Sequence, residues 1–179
     1  MLRSANYINS QILIADEKNT TLQYCKPAQV GVDLTLRKVL APKGYGLVLR
    51  DKTICTEYNE VPASTEELTS GGWHLMPGTY VIQLNEGCAF GPNDTGYIIM
   101  RSSLNRNGAT IQSAVWDPNY TSKGDDGIYP MSVRLTVDNP YGIFIEKNAR
   151  VCQLVVATNE DTTLYNGQFQ GGNLRGVNS

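Results

Sequence analysis

Apolar residues in this chain come in short runs, and nearly every run is cut off by a turn. Val32-Asp33-Leu34-Thr35-Leu36, Tyr80-Val81-Ile82-Gln83-Leu84 and Met131-Ser132-Val133-Arg134-Leu135-Thr136-Val137 alternate apolar with polar residues, the period of a half-buried strand. Gly96-Tyr97-Ile98-Ile99-Met100 and the segment Ala149 to Val156 are more continuously apolar, which predicts strands buried on both faces. Turn chemistry separates them at Pro42-Lys43-Gly44, Met76-Pro77-Gly78, Gly91-Pro92-Asn93-Asp94 and Asn139-Pro140-Tyr141-Gly142. The pattern predicts an all-β domain, a sandwich or a barrel, with one or two short helices. Tyr7, Ile8, Ile12 and Leu13 would share a helical face near the start. A second short helix is expected at Ser103-Leu104-Asn105-Arg106, directly after a strand.

Three stretches break the pattern. Glu60 to Gly72 is polar and reads as an exposed excursion, and Asn119 to Tyr129 reads as a long hairpin loop. The segment from Tyr165 to Ser179 is glycine-rich with little apolar content, so it is expected to be mobile without a partner. A length of 179 residues fits one domain, 1–164, followed by a flexible carboxyl-terminal arm, 165–179.

Composition narrows the chemistry. His74 is the single histidine, so a Ser-His-Asp triad must use it and a two-histidine metal site is excluded. The formal net charge of −2 gives no general attraction to nucleic acid or to an anionic membrane, though a local basic pocket remains open. Cys25, Cys55, Cys88 and Cys152 lie far apart in sequence, without the spacing of a zinc knuckle or a redox loop. Two disulfides are formally possible. The amino terminus has no apolar signal region and no run reaches membrane-spanning length, so the expectation is four reduced thiols in a cytoplasmic protein.

Carboxylates, arginines and hydroxyls are therefore the candidates. Arg101-Ser102-Ser103-Leu104-Asn105-Arg106 places two guanidinium groups and two hydroxyls together, which suits an anion such as phosphate. A capped helix start with solvated arginines would look the same. Trp116-Asp117-Pro118-Asn119-Tyr120 offers a carboxylate that could orient water and a ring that could floor a pocket, or a plain turn. In Arg150-Val151-Cys152-Gln153-Leu154 and around Asp33, polar side chains sit inside apolar strand patterns and would need partners if buried.

In order, these segments resemble the signatures of the dCTP deaminase/dUTPase superfamily. Lys26-Pro27-Ala28-Gln29-Val30-Gly31-Val32-Asp33-Leu34-Thr35-Leu36 is similar to the first, and His74-Leu75-Met76-Pro77-Gly78-Thr79-Tyr80 to the strand entry before the second. Arg101-Ser102-Ser103-Leu104-Asn105-Arg106 matches the arginine-serine signature, Trp116 to Tyr120 the third motif, and Arg150 to Leu154 the fourth. Tyr165-Asn166-Gly167-Gln168-Phe169-Gln170-Gly171 looks like the tail of the deaminase branch. The resemblance implies a β-clip or distorted jelly-roll barrel and a homotrimer with active sites between subunits. It also implies an arm that folds over a bound deoxypyrimidine triphosphate.

The resemblance further implies Asp117 as the water-activating carboxylate and Arg101 beside it in catalysis. Ser102, Ser103, Arg106, Trp116, Tyr120, Gln153, Phe169 and Gln170 are implied nucleotide contacts, and Asp33 would position Mg²⁺ through water. Deamination needs a glutamate in the strand after the third motif, and Thr136 stands there with Leu135 beside it. The leading expectation is a dUTP diphosphatase. The alternatives are a dCTP deaminase, alone or bifunctional, and a non-catalytic regulatory member with an unusual insertion at Thr121 to Gly127.

Overall fold

A computed structural model describes residues 1–14, 25–65, 70–160 and 163–166. The chain opens with α1 (Ala5–Ser10), β1 (Ile12–Ile14), β2 (Lys26–Pro27) and the long β3 (Val32–Pro42). There follow β4 (Leu47–Val48), β5 (Thr53–Ile54), β6 (Tyr58–Glu60), β7 (Gly72–Leu75), β8 (Gly78–Leu84), β9 (Glu86–Cys88) and β10 (Asp94–Met100). After α2 (Ser102–Arg106) come β11 (Ala109–Gln112), β12 (Lys123–Gly124), β13 (Gly127–Ile128), β14 (Ser132–Val137), β15 (Ile143–Glu146) and β16 (Arg150–Thr158).

The main sheet runs β10-β16-β3-β8-β14-β11, with β2 and β6 also pairing β3. Its edge strands β10 and β11 lie against each other, so the sheet curls nearly into a barrel. The expected all-β barrel with two short helices is the observed fold. β3 is its spine. Residues 32–34 pair with β16, the register shifts between Leu36 and Lys38, and the strand then pairs with β8 through Leu40. A bulge of this kind bends a strand so that it can serve two parts of a curved sheet.

That double duty overturns one expectation from the alternation. Every residue from Val32 to Leu36 is buried, not one face only. Leu34 and Leu36 join the core, while Asp33 and Thr35 are buried on the other face. Gly31 precedes this run because a Cβ there would stand 2.5 Å from the Leu154 carbonyl oxygen. β14 keeps the expected alternation, with Val133, Leu135 and Val137 in the core. β16 is buried on both faces from Leu154 to Val156, as its composition requires.

Two local expectations are corrected. The first helix stops at Ser10, and Ile12 and Leu13 belong to β1, paired with β9. Ser4 Oγ caps α1 by accepting from Tyr7 N, and Ile8 anchors it in the core. β10 is not buried on both faces, because Tyr97 is 40% and Ile99 53% exposed. The second helix begins one residue earlier than expected, at Ser102.

The stretch from Asn119 to Tyr129 forms the small β12–β13 hairpin, and its base is tied into the core. Ser122 is fully buried, with its Oγ accepting from Cys88 N and its backbone N donating to Cys88 O. In the polar excursion, Ser64 bridges Gly72, and 66–69 lie outside the described residues. The four cysteines are free thiols, with Cys25, Cys88 and Cys152 buried and Cys55 exposed. Burial pushes the Cys25 and Cys88 thiols up to about 12, so they pack as inert apolar groups. No helix among the described residues is long and apolar enough to cross a membrane.

Candidate nucleotide site

Asp33 organises a cluster of charged side chains. On the rung where β16 pairs β3, Gln153 lies directly opposite it and donates from Nε2 to Asp33 Oδ1 at 2.9 Å. Arg150 Nη1 donates to Asp33 Oδ2 at 3.1 Å, and Arg101 Nε stands 3.5 Å from Oδ1. Arg101 also donates from Nη1 to the Arg150 carbonyl at 3.2 Å. The carboxylate is buried while both guanidinium groups stay partly exposed. A buried acid thus holds two arginines side by side with donor edges still open, which suits a polyanion.

An open cleft of about 640 Å³ adjoins this cluster and is lined by Lys26, Arg101, Lys147, Asn148 and Arg150, with Glu146 and Ser70 at one side. Glu146 Oε1 accepts from both the Ser70 backbone N and its Oγ, at 3.2 and 3.0 Å. Four cations against Glu146 and the buried Asp33 leave the cleft net positive. Ser102, Ser103 and Arg106 lie exposed on α2, immediately beyond Arg101.

Asp117 is elsewhere. Trp116 forms an isolated antiparallel bridge to Gly96, with N–O distances of 2.9 and 3.0 Å. Glycine is required there because a Cβ would stand 2.4 Å from the Phe90 ring. Gly96 is five positions before Arg101, roughly 16 Å of extended strand. Trp116 is thus bridged to the middle of β10, whereas the Asp33–Arg101–Arg150–Gln153 cluster gathers around the carboxyl-terminal end of that strand; the Asp117 carboxylate is exposed.

Beside Asp117 the expected aromatic residues do meet. Trp116 and Tyr120 pack edge to face with ring centroids 4.9 Å apart, and Tyr165 adds a tilted contact at 5.8 Å. Tyr165 N donates to the Pro118 carbonyl at 3.0 Å, tying the start of the carboxyl-terminal segment to this turn. The Tyr120 ring is buried under these neighbours, and burial pushes its hydroxyl well above the ordinary value. Phe169 and Gln170 lie outside the described residues, as does most of the 165–179 arm.

The rung that bears on deamination holds three hydroxyls. Thr136 in β14 pairs Thr110 in β11 on one side and Thr79 in β8 on the other. Leu135 is fully buried. Neither position supplies a carboxylate.

Sequence reasoning missed Glu86, although a charge inside the apolar run Leu84 to Phe90 was a visible signal. Glu86 is fully buried and accepts twice from Thr35, from its N at 2.9 Å and from its Oγ1 at 2.6 Å. Burial pushes its carboxyl up to about 7, against the pull of the Thr35 hydrogen bonds. Arg150 was read as part of a strand pattern, and its contact with Asp33 is new.

Among the described residues no group of three His, Cys, Asp or Glu side chains is arranged to hold a metal ion. Both Asp33 oxygens are engaged by Arg150, Gln153 and Arg101, so this carboxylate offers no open position to a cation. A Mg²⁺ ion at this cleft would be held chiefly by phosphate oxygens and its own waters.

Fold and site together define a nearly closed β-barrel with a cationic cleft, and residues 3–159 match the dCTP deaminase-like family. The chain belongs to that family. It is 36% identical over 141 residues to a probable deoxyuridine 5′-triphosphate nucleotidohydrolase of Halobacterium salinarum, covering 78% of this chain and 80% of the relative. A protein of the same description from Aeropyrum pernix is 34% identical over 146 residues, covering 80% and 84%. Among solved structures, the 2′-deoxycytidine 5′-triphosphate deaminase of Agrobacterium tumefaciens superposes with a TM-score of 0.58 at 13% identity, over 87% of this chain and 47% of that one. The chain thus spans about half the length of that deaminase. The native EIAV dUTPase gives 0.50 at 14% identity, over 88% and 95%. At these identities the two structures speak for the fold alone.

Proposed function

We propose that this protein hydrolyses dUTP to dUMP and pyrophosphate, with Mg²⁺ arriving on the triphosphate, and that it works as a homotrimer. One observation carries the reading. A buried Asp33 holds Arg101 and Arg150 together at the rim of a cationic cleft, with Gln153 on the same carboxylate. The curated archaeal relatives named as deoxyuridine triphosphate nucleotidohydrolases support the choice of substrate. The threonine rung at Thr136 supports hydrolysis over deamination.

The offset between Asp117, beside the bridge to mid-β10, and the arginines beyond the end of that strand supports a trimer in which Asp117 of one copy serves the cleft of the next. There it takes a proton from water as the oxygen attacks the α-phosphorus and pyrophosphate leaves. Arg101, Arg150, Gln153 and Ser102 bind the phosphate charge that builds up in the transition state. Mg²⁺ held by the triphosphate supplies further charge neutralisation. Trp116 and Tyr120 wall the sugar end, and the 165–179 arm, with Phe169 and Gln170, closes over the base. Four free thiols support a cytoplasmic setting.

Asp117→Asn tests the assignment. Asparagine keeps the shape but takes no proton, so turnover falls by ~10²–10⁴-fold while nucleotide binding persists. Hydrolysis at near the wild-type rate would refute the role given to Asp117.

A further inference from the structure

The turn joining β15 to β16 carries a residue that neither strand pattern nor motif singled out. Ala149 N donates to the Glu146 carbonyl at 3.1 Å, closing a four-residue turn, and Asn148 occupies its third position with φ 64°. Few side chains accept that region; glycine does so at least cost and asparagine next. The Asn148 carboxamide is not spent inside the turn. Its Oδ1 accepts from Asn85 Nδ2 at 3.0 Å, and Asn85 Nδ2 also donates to Thr35 Oγ1 at 2.9 Å. Thr35 in turn donates its hydroxyl proton to Glu86.

This chain has one direction. Asn85 Nδ2 also faces the Leu36 carbonyl at 3.4 Å, a group that only accepts, so the amide nitrogen of Asn85 is turned this way and Asn148 meets it with its oxygen. The orientation of the Asn148 amide is thereby fixed by the buried Asn85 amide. Its Nδ2 is left over, with no acceptor among the described residues, on a side chain that lines the cleft beside Lys26, Arg101, Lys147 and Arg150.

The geometry points to Asn148 as a further ligand of the bound polyphosphate, donating from Nδ2 to a phosphate oxygen. Asn85 is the positioning residue that turns the amide that way. This inference rests on reading the cleft as the triphosphate site. Its chemical content is specific: a neutral, oriented donor among cations, which discriminates by geometry where lysines discriminate by charge.

Two substitutions and two probes test it. Asn148→Gly suits the backbone and removes only the amide, and Asn148→Asp keeps the shape but turns a carboxylate toward the anion. Folding is checked by the thermal midpoint, and binding of inorganic tripolyphosphate and of the α,β-imido analogue of dUTP is measured by calorimetry with Mg²⁺. The expected result is about tenfold weaker binding of both probes by Asn148→Gly and a larger loss for Asn148→Asp. KM for dUTP rises more than kcat falls. Unchanged tripolyphosphate affinity in both folded variants, or no tripolyphosphate binding by the wild type, would overturn the proposal. A wild type that binds tripolyphosphate and weakens on Asn148→Gly, yet does not hydrolyse dUTP, would uphold this inference and refute the proposed substrate instead.

Discussion

Gln153 and Asp33, 120 positions apart, face each other on one rung of the sheet and share a hydrogen bond of 2.9 Å. The same carboxylate carries Arg150 and Arg101. Asp33→Asn removes the charge that both guanidinium groups were placed around. Because Asp33 is buried while the arginines keep some water, the expected loss is about 1–3 kcal/mol of stability. It should come with a raised KM for dUTP, since the arginines lose their common anchor. Chemical denaturation and steady-state kinetics on the same preparation check both effects.

A site shared between copies, with Asp117 from one chain and Arg101 from the next, predicts complementation. Asp117→Asn and Arg101→Ala chains are each expected to be inactive as homotrimers. Mixed by refolding or co-expression, they should form some sites with Arg101 from one chain and Asp117 from the other. Up to a sizeable fraction of wild-type turnover then returns. A mixture as inactive as its components, in a verified mixed trimer, would place both residues in one chain's site.

Glu86 sets a pH dependence of stability whose sign is fixed by its burial. An ordinary glutamate titrates near 4.5 and this one near 7. Between those values the folded chain keeps a proton that the unfolded chain has released, so stability falls as pH rises through that window. The effect of this one group is at most about 3 kcal/mol. Glu86→Gln, which carries no charge at any pH, should flatten the difference in unfolding free energy between pH 5 and pH 8. An unchanged pH slope would show that Glu86 is ionised in the native state across the range.

Asp94 works in the opposite sense. Burial alone would raise its carboxyl, but hydrogen bonds from Tyr7, Gln11 and Arg3 outweigh that and hold it below the usual value. Its contribution is present at neutral pH and lost on acidification, outside the window used for Glu86.

The strands were legible where one face meets the core and the other meets water. Met131 to Val137 shows this best, because the polar positions there are the outward ones in β14. Tyr97 and Ile99 misled for the converse reason: apolar side chains on the outer face of β10 look like burial in a single sequence. Ile12 and Leu13 have helical spacing, but pairing of β1 with β9 some seventy positions away decides their structure. The polar sites follow the same rule. Asp33, Arg101 and Gln153 could be picked out one by one, whereas their convergence depends on the register of β16 against β3. Asn148 carried no signal, since an asparagine in a turn is ordinary until its amide is seen to point out of that turn.

The most direct measurement incubates the pure wild-type protein with dUTP or dCTP and Mg²⁺ and follows pyrophosphate and ammonia separately. With Thr136 flanked by Thr110 and Thr79, no group on that rung can shuttle protons to the pyrimidine C4. The expected result is pyrophosphate and dUMP from dUTP, with no ammonia from dCTP. Stoichiometric ammonia from dCTP, or an absence of pyrophosphate from dUTP, would contradict the assignment.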